Sequence, residues 1–245
     1  MELSEKKVLI TGGSSGIGLE LSRRLLEKDN KVLICGRSAQ KLKAAHKLFP
    51  KLEIFQCDLS DKQQCKKLTE WIKSNHPDLN LLINNAALVH KANFFETDDF
   101  LEKAELEVQT NFLAPVRLVK YLYPVLKKNT DAAIINVTTG LVYAPKAEYP
   151  LYNATKAALH SFTQVLRLQQ KNSTPKIIEV MFPAVDTPFH KGNTPKIAIT
   201  TEKAVNEMLT GIQNDKDEIR IAGVKLLYKL TRMAPKFALQ KINNL

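Results

Sequence analysis

The sequence lacks long hydrophobic runs and is poor in glycine and proline. No stretch approaches the roughly 18 consecutive apolar residues that a membrane-spanning helix needs. With 9 Gly and 11 Pro among 245 residues, the chain is neither collagenous nor of low complexity. The amino terminus has Glu2 and Glu5 where a secretion signal needs basic and then apolar residues. We therefore expect a cytoplasmic protein that is not exported.

Cysteine and histidine are also scarce. The 3 cysteines, Cys35, Cys57 and Cys65, are an odd number at no metal-ligand spacing. Two of them end apolar runs, where cysteine usually behaves as a small hydrophobic residue. The 5 histidines show no H-E-x-x-H or other ligand spacing. The sequence predicts reduced thiols and no metal site.

Acidic residues are outnumbered, since 36 Lys and Arg against 25 Asp and Glu give a formal charge of +11. Such an excess suits nucleic acid, an anionic membrane or a solvated basic surface. The basic residues are scattered, and no basic stretch is interleaved with aromatic residues as in single-strand binders. We therefore expect a solvated basic surface and no nucleic-acid partner.

Short aliphatic runs alternate with longer helical patterns along the whole chain. The runs predict strands at 8–10, 32–35, 53–57, 81–83, 133–137, 176–181 and 218–221. Apolar periodicity predicts helices at 17–28, 39–48, 61–75, 97–128, 151–171, 201–213 and 224–240. Asp61, and Thr97 with Asp98, are the predicted N-caps of the third and fourth helices.

Most of the predicted strands are apolar on consecutive residues, as in parallel strands that are buried on both faces. Each pair of strands is separated by enough residues for a crossover helix. No linker or repeat divides the chain. The pattern predicts one α/β domain over 1–245, a doubly wound, Rossmann-type, mostly parallel seven-stranded sheet with helices on both faces.

A glycine-rich turn follows the first predicted strand, from Thr11 to Gly18. Residues without Cβ atoms at a helix start let backbone amides and the positive helix end approach a pyrophosphate. The glycine spacing differs from G-x-G-x-x-G, but its place after strand one favours a dinucleotide site over an ordinary tight turn. The expected cofactor contacts in this turn are Gly12, Ser14, Ser15, Gly16, Ile17 and Gly18.

Further polar motifs follow the turn in chain order. They are Asp58, Asn84-Asn85-Ala86-Ala87, Asn111, Thr138-Thr139, and Tyr152 with Lys156 in a Y-x-x-x-K pattern. Together with the glycine turn, they resemble the short-chain dehydrogenase/reductase superfamily over nearly the whole chain. Within that superfamily, the run 152–162 and the turn Val185-Asp186-Thr187 resemble the DltE-like bacterial oxidoreductases.

The resemblance implies an oxidoreductase that forms a homodimer or homotetramer and binds a nicotinamide dinucleotide. Besides the glycine turn, it implies cofactor contacts at Asp58, Leu59, Asn85, Ala86, Tyr152, Lys156, Val185 and Thr187. The chain departs from the family pattern at two places near the cofactor. Ala87 replaces the last Gly of N-N-A-G, and Phe182-Pro183 stands where the family has Pro-Gly.

Tyr152 and Lys156 lie four residues apart on a predicted helix and therefore share one face. A lysine ammonium would lower the pKa of the phenol from about 10 toward neutrality, so that Tyr152 could exchange a proton with a carbonyl oxygen. The resemblance implies that Lys156 also binds the ribose hydroxyls and that Asn111 binds a water linking Lys156 to solvent. It places Thr139 at the position of the usual Ser, which orients the carbonyl.

The end of the second predicted strand indicates which nicotinamide cofactor binds. NAD-specific folds place an acidic residue there to bind the ribose 2′-hydroxyl. This chain has Cys35-Gly36-Arg37-Ser38 instead, and Arg37 can pair with a 2′-phosphate. We expect NADP(H) to be preferred, with NAD(H) possible.

Two loops and the tail complete the prediction. The loops 88–96 and 186–200 follow strand ends, where open α/β sheets bind ligands; their side chains Phe94, Phe95, Phe189, His190 and Lys191 do not define the small-molecule substrate. Residues 225–241 contain 5 basic residues and no acidic one, with apolar residues on another helical face. We favour domain or subunit packing of this segment over an anionic membrane surface.

Two functions are compatible with these residues. The first is an NADP(H)-dependent oxidoreductase acting on a carbonyl or alcohol substrate, with Tyr152 as general acid/base assisted by Lys156, Asn111 and Thr139. The alternative is a non-catalytic dinucleotide-binding sensor or scaffold on the same fold. The intact Tyr152, Lys156 and Asn111 favour the enzyme, because a sensor has no chemical need for them.

Overall fold

The structure, a computed structural model, describes residues 1–171, 173–190, 192 and 194–244. One parallel sheet runs in the order β3-β2-β1-β4-β5-β6-β7, which confirms the predicted doubly wound fold. The strands are β1 Lys7–Thr11, β2 Lys31–Gly36, β3 Glu53–Gln56, β4 Leu81–Asn84, β5 Ala133–Thr139, β6 Lys176–Phe182 and β7 Glu218–Arg220. The strand order reverses between β1 and β4, and ligands of such sheets bind at the carboxyl ends of the strands beside that point.

Helices connect these strands. They are α1 Gly16–Leu26, α2 Ala39–Leu48, α3 Lys62–Asn75, α4 Phe100–Glu107, α5 Ala114–Leu126, α6 Pro150–Gln169, α7 Thr201–Gln213, α8 Val224–Met233 and α9 Pro235–Asn243. Among the residues that the structure describes, no helix is long and apolar enough to cross a membrane.

The apolar residues form two cores, one on each face of the sheet. Val8 and Ile10 of β1 pack into one core with side chains of α1 and α7. Leu9, between them, points to the other face and packs with side chains of α3 and α5. Because successive side chains of a strand alternate between faces, a strand covered on both sides must be apolar at consecutive positions. Cys35, Cys57 and Cys65 are free and buried, as predicted.

The predicted fourth helix, 97–128, is wrong in its start and its continuity. It begins at Phe100 after Asp99, so Thr97 and Asp98 are not the N-cap, whereas Asp61 caps α3 as predicted, accepting from the Gln63 amide at 2.7 Å. A π-helical turn, Val108–Leu113, separates α4 from α5. Pro115 explains part of the break, because it has no N–H to donate to the carbonyl of Asn111.

The predicted last helix, 224–240, is two helices. The chain leaves helical geometry at Ala234, where φ is −143° and ψ is 67°. Pro235 then begins α9 at a position where its missing N–H costs nothing. The tail is therefore a bent pair of short helices.

Candidate active site

The glycine turn lies between β1 and α1, at the point where the strand order reverses. Gly12 and Gly16 have φ of +67° and +53°, a left-handed conformation that favours glycine. Ser15 occupies the N-cap position of α1 but makes no side-chain capping hydrogen bond. The first backbone amides of α1 are therefore left for an anion, as a dinucleotide phosphate site requires.

A hydrogen-bonded contact joins this turn to the loop after β4. The Thr11 hydroxyl accepts from the amides of Asn85 and Ala86 at 2.9 and 3.0 Å, and Asn85 Nδ2 donates to the Thr11 carbonyl at 2.9 Å. A Cβ on Gly18 would lie 2.3 Å from the Gly12 carbonyl oxygen and 2.8 Å from Asn85 Nδ2. The turn therefore has no space for a side chain at residue 18.

The structure describes the surroundings of both departures from the family pattern. Ala87 does not have a positive φ, so alanine fits its backbone without strain. Beyond Phe182-Pro183, Val185 is buried and forms an isolated bridge with Ile199. Thr187 lies beside the glycine turn, 3.2 Å from where a Cβ on Gly16 would stand.

The ends of β2 and β3 form the far side of the crevice. Arg37 is exposed directly after β2, and within the described part of the chain no carboxylate forms an ion pair with it. Ser38 caps α2 by accepting from the Lys41 amide at 3.2 Å. After β3, Asp58 accepts from the backbone amide and hydroxyl of Ser60 at 2.9 and 2.7 Å, and Leu59 is buried.

Tyr152 and Lys156 lie one turn apart on α6, as predicted. Lys156 is 1% exposed, and its Nζ donates to the Val137 carbonyl at 2.8 Å and lies 6.0 Å from the centroid of the Tyr152 ring. Thr139, at the end of β5, accepts from the Leu141 amide at 3.3 Å, and its side chain acts to lower the pKa of Tyr152. The Phe189 ring packs beside Tyr152, with 5.8 Å between centroids.

Asn111 lies in the π-helical turn and is completely buried. Its Oδ1 accepts from the Leu88 amide at 2.7 Å, and its Nδ2 donates to the Leu88 carbonyl at 2.8 Å and to the Thr155 hydroxyl at 3.1 Å. These bonds fix the start of loop 88–96 to α6, one residue from Lys156. π-helical turns are frequent at functional sites.

Two fully buried carboxylates, Glu107 and Glu179, act on Lys156. Glu107 accepts from His90 Nδ1 at 2.9 Å and from the His90 amide at 2.7 Å. Glu179 lies 2.9 Å from Nδ1 of His160, and this hydrogen bond raises the pKa of His160. Burial lowers the pKa of Lys156 to about 8, although both carboxylates oppose the shift.

The pKa of Tyr152 is the clearest departure from expectation. Burial of the phenol raises its pKa above the usual value, the Glu107 charge raises it further, and the hydrogen bond with Thr139 only partly offsets the shift. The expected lowering of this pKa by Lys156 is therefore wrong. The Lys156 ammonium is bonded to the Val137 carbonyl and is not among the groups that move the Tyr152 pKa.

The shifted pKa of Lys156 predicts a pH-dependent stability. Folding disfavours the charged amine, so the unfolded chain binds more protons between the folded pKa of about 8 and the ordinary value of 10.5, and stability rises with pH in that window. From about pH 7.5 to about pH 9.5, the unfolding free energy of the wild type should gain about 2 kcal/mol over that of Lys156→Met. Urea unfolding of both proteins at the two pH values measures this difference. Equal pH slopes would show that the Lys156 pKa is unshifted.

The sequence did not identify Glu107, Glu179, His90 or His160 as site residues. Two signals were available: Glu107 precedes Asn111 by one helical turn, and Glu179 interrupts an apolar strand. A carboxylate in a buried strand requires a partner. The partner histidines are far away in sequence, so only the fold reveals them.

The two predicted substrate loops contribute unequally. Phe189, in a short 3-10 turn, lies beside Tyr152, and His190 packs against the Phe189 ring. Phe94 and Phe95 are 61% and 90% exposed, and the Phe94 ring packs against the rings of Phe95 and Phe100. Lys191 lies outside the described residues.

A family model of the short chain dehydrogenases matches residues 6–198 of the chain. The chain belongs to the short chain dehydrogenase family. This short chain dehydrogenase is 41% identical over 237 residues to the uncharacterized oxidoreductase DltE of Bacillus subtilis, and the match covers 95% of the chain and 94% of that protein. The sequence-based resemblance to the family and to its DltE-like members is confirmed.

Solved structures show the same fold. A short chain dehydrogenase from Burkholderia cenocepacia in complex with NADP has a TM-score of 0.87 and 24% identity, covering 99% of each chain. A short chain dehydrogenase/reductase from Burkholderia phymatum in complex with NAD has a TM-score of 0.82 and 15% identity, covering 95% of this chain and 96% of that one. The class of short-chain oxidoreductase is confirmed, while the residue roles and the preferred cofactor stay predictions.

Proposed function

We propose that this short chain dehydrogenase is an NADP(H)-dependent oxidoreductase that interconverts a carbonyl and an alcohol, with Tyr152 as general acid/base. The observation that supports it best is the meeting of Thr139, Tyr152 and Lys156 at the carboxyl end of β5, where Lys156 is buried and bonded to the Val137 carbonyl. Perturbed titratable groups that converge at a strand end are typical of catalytic sites.

The crevice fits a nicotinamide dinucleotide. The uncapped start of α1 and the glycine turn suit its pyrophosphate, and the exposed Arg37 suits a 2′-phosphate. The groups that would contact the remainder are Asp58, Leu59, Asn85, Ala86, Tyr152, Lys156, Val185 and Thr187. When bound, the nicotinamide supplies or accepts the hydride.

The side chains then account for the proton. Thr139 orients the substrate oxygen by hydrogen bonding, and Tyr152 donates a proton to that oxygen in reduction or accepts one in oxidation. Burial raises the pKa of Tyr152, and NADPH as the expected cofactor favours the direction in which the phenol donates its proton. We therefore favour reduction. Lys156 assists by binding the ribose hydroxyls of the cofactor, and Asn111 binds a water linking Lys156 to solvent.

The remaining sequence-based expectations concern the setting of the reaction. The substrate is a small carbonyl or alcohol compound that enters beside Phe189. The cytoplasmic location and the homodimer or homotetramer stay predictions.

Titration with NADPH and with NADH, followed by nicotinamide fluorescence, tests the cofactor assignment. Arg37→Ala should weaken NADPH binding by roughly 10- to 100-fold, because hydrogen bonds between charged groups contribute about 1.5–3 kcal/mol each. Binding of NADH should change little. Lys47→Ala, an equally exposed cation at the far end of α2, is the control and should leave both affinities unchanged. Equal losses for the two nucleotides would contradict the role of Arg37.

A further inference from the structure

The last two helices present large apolar side chains to solvent. Val224 and Ala238 are buried against the domain, but Leu226, Met233, Phe237 and Leu239 are 69%, 85%, 56% and 44% exposed. We call the outer surface of α8 and α9, residues 225–241, the tail face. Single exposed apolar residues are common on protein surfaces. Four large ones within fourteen positions form a concentration that indicates an interaction surface.

The same surface is strongly basic. Its cations, all exposed, are Lys225, Lys229, Arg232, Lys236 and Lys241. The sequence has no acidic residue from 225 to its end. Lys225 approaches Glu207 of α7 at 3.5 Å, and the Arg232 guanidinium lies over the Tyr228 ring at 4.5 Å. In the described part of the chain, no ion pair neutralises the three other lysines.

On α8, the exposed cations lie next to two of the exposed apolar residues. On α8, Lys225, Lys229 and Arg232 recur at helical spacing, and Leu226 and Met233 lie along the edge of that row. Long lysine and arginine side chains can extend their charged ends to a polar layer while their stems cover apolar surface. This arrangement is typical of a helix that lies in a lipid interface.

The positive charge of the tail face distinguishes among the partners that could cover it. A second copy related by a two-fold axis would bring two identical cationic surfaces together, since such an interface uses the same patch on both subunits. A nucleic acid would pair with the cations but would not cover the apolar Met233 and Phe237. These two side chains are not part of a group of aromatic residues on which bases could stack. An anionic lipid surface satisfies both the charge and the apolar side chains.

We propose that the tail face docks this protein peripherally on an anionic lipid bilayer. The geometry also connects this face to the candidate active site. Asn243, at the end of α9, accepts from the Ala147 amide at 2.7 Å and donates to the Pro145 carbonyl at 3.1 Å. That loop leads directly into α6, the helix that carries Tyr152, so docking would place the start of α6 near the membrane. The proposal does not rest on the proposed catalytic function.

Vesicle co-sedimentation tests the proposal on the full-length protein. The probes are vesicles of phosphatidylglycerol with phosphatidylcholine, and vesicles of phosphatidylcholine alone. We compare the wild type with Lys229→Gln/Lys236→Gln/Lys241→Gln and with Met233→Ser/Phe237→Ser. The matched control is Lys62→Gln/Lys67→Gln/Lys73→Gln, which removes the same charge from the exposed face of α3. Circular dichroism and NADPH affinity verify that each variant is folded.

The wild type should bind the anionic vesicles and not the neutral ones. Removing three tail lysines should lower the partition coefficient by roughly 100-fold, because each cation near such a surface contributes about 1 kcal/mol. The apolar variant should also bind more weakly, and the α3 variant should bind nearly as well as the wild type. Failure of the wild type to bind, or equal losses for the two lysine variants, would overturn the proposal. The proposal would also be overturned if the wild type formed a dimer that only the Met233→Ser/Phe237→Ser variant failed to form.

Discussion

Tyr152→Phe should reduce the turnover of a carbonyl substrate with NADPH by roughly 10³-fold, because the loss of a positioned general acid typically costs 10²- to 10⁴-fold. The substitution removes one hydroxyl and retains the ring that packs against Phe189. Cofactor affinity should therefore remain nearly unchanged. Steady-state kinetics at the nicotinamide absorbance, together with NADPH titration, measure the two quantities separately.

Tyr123→Phe is the matched control, since Tyr123 is an exposed tyrosine of α5 whose hydroxyl donates to the Gln170 side chain. It should behave as the wild type. Loss of NADPH binding in a folded Tyr152→Phe protein would contradict the acid/base role. A wild type that binds NADPH but reduces no carbonyl compound would favour the alternative of a sensor or scaffold.

Gly18→Ala should nearly abolish cofactor binding and destabilise the fold. The new Cβ would lie 2.3 Å from the Gly12 carbonyl oxygen, a backbone atom that cannot move away without displacing the glycine turn. Overpacking of this kind costs about 1–3 kcal/mol, which for a domain of this size lowers the melting temperature by about 3–10 °C. Thermal unfolding and NADPH titration test both effects.

Gly223→Ala provides the control for that substitution. Gly223 has a negative φ and no heavy atom within 4 Å of an added Cβ. Alanine there should be neutral or slightly stabilising, because it only reduces the freedom of the unfolded chain. If Gly18→Ala had the same melting temperature and NADPH affinity as this control, the close approach of α1 to the glycine turn would not be required for cofactor binding.

The buried charges around Lys156 make the electrostatics of this site different from what the family pattern implies. A family pattern suggests a lysine that simply lowers the pKa of the tyrosine. The structure instead contains a buried lysine whose pKa is influenced by the charges of Glu179 and Glu107, which are paired with His160 and His90. Each buried carboxylate requires such partners, since an unpaired charge in the interior is strongly unfavourable.

The interruption of the predicted fourth helix could not be recognised from apolar periodicity. Apolar periodicity predicted one helix over 97–128, yet the chain contains a π-helical turn at Val108–Leu113. Pro115 was a visible signal of the missing backbone donor, whereas the placement of Asn111 against Leu88 depends on the folded loop.

The sequence by itself determined the sheet, the glycine turn and the Y-x-x-x-K helix. These features depend on residues close in sequence, so strand burial, turn conformation and helical spacing are visible in the order of residues. Only the tertiary structure decided which charges surround Lys156, the direction of the Tyr152 pKa shift and the exposure of the tail face. The physical reason is that desolvation and pairing depend on groups far apart in sequence, which share one low-dielectric interior only after folding.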